Sequence, residues 1–114
     1  MKYIVLLLLF FHTLYAMSSF ITPLEYASQL YKNPRGIGCG KCHGDHGEGL
    51  VIATYKHKNK PRSFKAPPIN NIDFKEFYKA LNKRKKGMPR YYLTNGEIKA
   101  LYLYLHQDEK KQKE

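Results

Sequence analysis

Both cysteines of this 114-residue chain fall within one five-residue string, Cys39-Gly40-Lys41-Cys42-His43. Three readings compete for such a string, and each demands a different fold around it. A redox-active dithiol of the thioredoxin type needs strand–helix–strand units on either side. A zinc site made from Cys39, Cys42, His43 and His46 would crowd four ligands together, with no second ligand pair elsewhere in the chain. The third reading is covalent haem attachment. Two thiols three residues apart lie on one side of a turn, where each can add to a haem vinyl group. The histidine that follows can then turn its ring under the macrocycle and bind iron. The helical and loop-rich pattern of the flanking sequence favours this third reading.

The N-terminus sets the compartment in which that chemistry is expected. Met1, Lys2 and Tyr3 give a short positive start, and Ile4 to Phe11 is an apolar run too short to cross a bilayer comfortably. Small residues follow at Ala16, Ser18 and Ser19. This order describes a secretory signal over residues 1–18, cleaved after Ala16 or after Ser18, with an uncleaved membrane anchor as the alternative. The expected location is the periplasm, or else the outer face of the cytoplasmic membrane. Residues 19–107 then form one domain, and residues 108–114 a charged tail expected to fray. A domain this small needs stabilisation beyond its own core. The two cysteines lie too close together to close a useful disulfide loop, whereas a covalently held cofactor can serve as core. Ten Tyr and six Phe, with no Trp, suit packing around a flat aromatic ligand.

Three helix starts repeat one device. Thr22 with Glu25, Asp73 with Glu76 and Thr94 with Glu97 each pair a capping residue with an acid three positions on. Pro23 occupies the favoured first helical position. Each cap is flanked by a hydrophobic staple: Ile21 with Tyr26, Ile72 with Phe77, Leu93 with Ile98. The spacing predicts helices from Pro23 to Lys32, from Phe74 to about Lys83 and from Asn95 to about Gln107. Between the first two lies a long irregular region. Its glycines loosen it, and Pro61, Pro67 and Pro68 argue against long regular elements. Leu50 to Ile52 reads either as a short strand or as a further helical turn. The expected fold class is all-α, with three main helices and irregular loops wrapped around a covalent haem.

A six-coordinate haem needs a second axial ligand, and Met88 in Gly87-Met88-Pro89 is the candidate. A thioether is a neutral, soft ligand, and pairing it with histidine raises the reduction potential relative to two histidines. A lone methionine is more often core filler, but a basic loop is an odd place for filler. His46, His57 and His106 are the rival ligands. His46 lies too near His43, His57 sits in a solvated basic loop, and His106 ends a helix where a cationic ring suits the dipole; all three are expected at the surface. The second ring nitrogen of His43 also needs a partner, for which a backbone carbonyl in Ala66-Pro67-Pro68-Ile69 would serve.

These residues together resemble the class I cytochrome c family over about Thr22 to His106. Cys39-x-x-Cys42-His43-Gly44 is similar to its haem-attachment site, and Asp45-His46-Gly47-Glu48-Gly49 to the glycine-rich stretch that often follows in bacterial members. Ala66-Pro67-Pro68-Ile69 is similar to the family's Ala-Pro-x-Leu segment, and Gly87-Met88-Pro89 to its sixth-ligand loop. Thr94-x-x-Glu97-Ile98-x-Ala100-Leu101-x-x-Tyr104-Leu105 resembles the terminal helix. The resemblance implies one haem c per chain, bound through Cys39 and Cys42. It also implies iron ligation by His43 and Met88, and Pro67 or Pro68 facing His43. Tyr104 would pack on the first helix, where Tyr26 and Tyr31 both qualify as partner.

The function expected is one-electron transfer in a respiratory chain by an exported, monomeric monohaem carrier, not an enzyme. The net charge of +11 invites nucleic acid as a partner, but export argues against it and favours an acidic redox protein. Two clusters would receive that protein: Lys56, Lys58, Lys60, Arg62 and Lys65, and, bracketing Met88, Lys83, Arg84, Lys85, Lys86 and Arg90. Membrane contact is expected only through partners or an uncleaved signal. The alternatives are a ligand-binding or sensory haem protein with a displaceable sixth ligand, and a small haem subunit of an envelope oxidoreductase.

Overall fold

A computed structural model describes residues 1–14 and 20–107. The two cleavage positions and the charged tail lie outside the described residues. The order is α1 (Lys2–Leu14), α2 (Pro23–Lys32), α3 (Gly40–His43), β1 (Leu50–His57), β2 (Lys60–Ala66), α4 (Phe74–Asn82) and α5 (Asn95–Leu105). The side chains of α1 from Lys2 to Phe10 are exposed, and no helix among the described residues is long and apolar enough to cross a membrane.

The capped helices start where their local chemistry sets them. Thr22 accepts from the Glu25 backbone N–H at 3.1 Å, and Glu25 accepts from Thr22 N–H at 2.8 Å. Thr94 and Glu97 repeat this reciprocal box, and Asp73 accepts from Glu76 N–H at 2.8 Å. The helices α4 and α5 end slightly before the expected Lys83 and Gln107. The core forms where α2 lies against α5 and α4 closes on α5. It comprises Leu30 and Tyr31 from α2, Phe77 from α4, and Ile98, Leu101 and Leu105 from α5.

The all-α expectation is wrong. Beside its helices the chain builds a two-stranded antiparallel sheet, β1–β2, from the region expected to be irregular. Three local features make the hairpin. Val51, Ile52, Thr54 and Tyr55 are residues that favour extended backbone. Lys58 and Asn59 both take positive φ, 49° and 60°, as a two-residue hairpin loop with a type I′ twist requires. Pro61 does not break the ladder. It stands opposite Lys56, one pair beyond the loop-closing His57–Lys60 pair. Ladder bonds alternate in an antiparallel pair, so the missing N–H of Pro61 falls at a non-bonded position and costs nothing. A register shift between Val51 and Ala53 makes Ile52 an extra residue on β1.

Candidate functional site

The string Cys39–His43 forms a single helical turn. His43 N–H donates to Cys39 O at 2.9 Å, and Gly44 N–H to Gly40 O at 2.9 Å. This turn brings both sulfur-bearing residues and the imidazole to the wall of one cavity of about 240 Å³. Met88 lines the same cavity from the loop after α4. The four residues singled out in the sequence are thus brought together from two segments far apart in the chain. Ile52, Phe64, Ile69, Phe77, Leu81 and Leu101 make much of the rest of the wall apolar.

His43 is buried, and its Nδ1 lies 2.8 Å from the carbonyl oxygen of Pro67. A carbonyl can only accept, so Nδ1 carries the proton and Nε2 is left with a free lone pair. Of the two prolines the resemblance allowed, Pro67 is therefore the one that orients the ring. The loop behind this contact is stitched by the backbone: Gly49 N–H donates to His43 O at 2.7 Å, and Ile69 N–H to Gly47 O at 2.7 Å. Gly49 has φ 85°, and a Cβ there would stand 2.8 Å from Ala66 O, so only glycine lets the strand leave the turn this closely.

Of the two tyrosines that qualify, Tyr31 rather than Tyr26 supplies the aromatic partner. Its ring centroid lies 5.5 Å from that of Tyr104, and its hydroxyl donates to Gly44 O at 2.6 Å. Burial, reinforced by nearby Cys39, raises its phenol above the ordinary range. Burial likewise pushes the free Cys39 thiol up to about 11. A thiol held protonated is not the activated thiolate that a redox dithiol uses. Among the described residues no strand–helix–strand unit surrounds it either, since the sheet there is an antiparallel hairpin. As for zinc, no group of three or more His, Cys, Asp or Glu among the described residues is arranged to hold a metal ion.

His46 and His57 are exposed, as expected. His106 is not at the surface. It is 8 % exposed, stacks on Tyr102 at 4.0 Å and lies within hydrogen-bond reach of two carbonyls, Tyr102 O at 2.9 Å and Ile72 O at 3.1 Å. Both ring nitrogens face backbone acceptors, so it is a structural bridge between α5 and the start of α4.

Two residues unremarked in the sequence hold the site's other edge. Arg35, at φ 61°, donates from its two terminal nitrogens to the Glu97 carboxylate at 2.8 and 2.9 Å and to Tyr92 O at 2.8 Å. The Arg35 guanidinium, with the Thr94 cap, lowers Glu97 from the ordinary 4.5 to about 2. Tyr91 lines the cavity and donates to Ile37 O at 2.6 Å. The long linker into the cysteine string is in this way tied to the segment that follows Met88. Nothing local signals either contact, because each joins residues more than fifty positions apart.

The donor set fits a covalent haem: two thiols at one wall, an imidazole nitrogen presented by an oriented ring, a thioether on the same cavity, and apolar side chains between them. A family model described as Cytochrome c matches residues 24–108. No curated protein and no solved structure is significantly similar to the chain.

Proposed function

The chain belongs to the cytochrome c family and carries covalently attached haem c, and from that premise we propose that it is an exported one-electron carrier with His43 and Met88 as axial ligands. The observation that carries the ligand assignment is the shared cavity. Oriented His43, both cysteines and Met88 line it together. Bound haem supplies a ferrous–ferric couple there. Cys39 and Cys42 hold it through thioethers, so it cannot be lost outside the cell. Pro67 O fixes the His43 ring and keeps Nε2 available. Met88 contributes a neutral, soft sulfur that favours the reduced state. The apolar wall limits water near the iron, and no side chain is required as acid, base or nucleophile.

Export to the periplasm is supported by the positive start, the apolar run and the small residues after it, and a respiratory chain is the setting such a carrier fits. An acidic redox protein is the proposed partner, docking on the basic residues around Met88. An absorption spectrum tests the ligands. The reduced alkaline pyridine form should report thioether-linked haem. The oxidised native protein should show the weak far-red band of methionine ligation, and Met88→Ala should abolish it. A band that survives this substitution would refute the Met88 assignment.

A further inference from the structure

The β1–β2 hairpin has no buried residue of its own, and a lone two-stranded hairpin is marginal in water. One contact gives it a task. The ring of Phe64 points its Cζ edge at Gly87, the residue before Met88. A Cβ added to Gly87 would collide with Phe64 Cζ, with Cε1 and Cε2 at 3.1 and 3.2 Å from it. The bulge at Ile52 explains the aim of the hairpin. Phe64 pairs with Ala53, and the extra residue lets Ile52 join Phe64 on the cavity wall.

The segment from Lys83 to Leu93 has no helix or strand. Met88 N–H donates to Lys85 O at 3.3 Å, a long bond for a turn. Beyond Met88, the segment is fastened by the Tyr91 hydroxyl to Ile37 O at 2.6 Å. Before Met88, the contact at Gly87 is with Phe64. We propose that Phe64 is a positioning residue for Met88: the hairpin is a strap whose ring edge abuts Gly87 and seats the turn that presents the thioether. Gly87, at φ 81°, suits this role twice, since it permits the turn and leaves room for the edge of the ring. This inference rests on the reading of Met88 as an iron ligand.

The test uses the holoprotein with imidazole as a competitor for the sixth position. The apparent affinity of a competitor rises in proportion to the fraction of protein whose ligand is unseated. Phe64→Ala should keep thioether-linked haem and helical circular dichroism, weaken the far-red band, and tighten imidazole binding by about ten-fold. Phe64→Leu should fall between wild type and Phe64→Ala, and it also serves as the readout if the alanine variant does not accumulate. Tyr55→Ala, on the same strand pair but off the cavity wall, should leave both signals unchanged. A full band with imidazole affinity unaltered in both Phe64 variants overturns the inference, as does an equal effect of Tyr55→Ala. If instead the band survives Met88→Ala, the ligand reading itself has failed, a result separable from failure of the strap.

Discussion

At the residue scale, a few side chains each hold two parts of the molecule at once. Glu97 closes the cap of α5 and grips Arg35 in the linker before the cysteines. Its carboxyl sits near 2 in the folded protein, against an ordinary 4.5. A depressed acid stabilises the fold fully above its unfolded value and loses that contribution as pH falls through the folded one. The Arg35–Glu97 contribution is therefore complete above about 4.5 and should drain away between there and about 2. Arg35 is more than half exposed, so the pair is worth about 1 kcal/mol or less. Acid titrations of thermal stability should show a shallower slope across this window for Glu97→Gln than for wild type. Tyr31 is the stronger case, because its hydroxyl bond to Gly44 O is buried. Tyr31→Phe leaves that carbonyl only the longer bond from Gly47 N–H at 3.3 Å, at a cost of about 0.5–1.5 kcal/mol. The urea midpoint of the holoprotein should fall accordingly while the far-red band persists.

At the element scale, the sequence disclosed what was local and concealed what was not. The starts of α2, α4 and α5 were legible because each is written within six residues by a cap, an acid and a staple. The site residues Cys39, Cys42 and His43 were legible because their chemistry depends on spacing alone. The hairpin was hidden by Pro61 and by the lysines alternating through it. A proline reads as a breaker until its register is known, and only the pairing places it at a non-bonded position. The loop Lys58-Asn59 was the local clue, since asparagine tolerates positive φ. That conformation yields a prediction. Asn59→Val puts a β-branched residue where φ is 60°, at a cost of about 1–2 kcal/mol, whereas Asn59→Gly suits the turn. Amides from Leu50 to Ala66 should exchange faster in the valine variant. Global unfolding should move less, because the hairpin gives no buried residue to the core.

At the scale of the whole molecule, the Phe64–Gly87 contact does more than join a strand to a loop. It sets members of two basic clusters that lie far apart in the sequence, Lys65 from one and Lys85 and Lys86 from the other, on one cavity wall. Lys56, Lys58, Lys60, Arg62 and Lys65 ride on the hairpin, and Lys83, Arg84, Lys85, Lys86 and Arg90 surround Met88; together they are half of the chain's 20 Lys and Arg residues. All are exposed, and Lys65, Lys85 and Lys86 reach the cavity wall. The one ion pair among the described residues, Arg35–Glu97, uses none of them. Charge left uncompensated around an opening acts on a partner before contact. Steering of this kind raises association rates by about 10- to 1,000-fold and fades with salt, as the screening length shrinks from about 30 Å at 0.01 M to about 10 Å at 0.1 M. Electron transfer to an acidic redox protein should therefore slow steeply as ionic strength rises. The double change Lys85→Gln with Lys86→Gln should lower the low-salt rate and flatten the salt dependence. Lys99→Gln, an exposed change on α5 away from the cavity wall, should alter both by far less than half as much, because it removes one charge from outside the opening. Stopped-flow rates across a salt series distinguish the cases. If Lys99→Gln produces half the effect of the double change, what matters is net charge, and the placement of lysines at the opening plays no part in recognition.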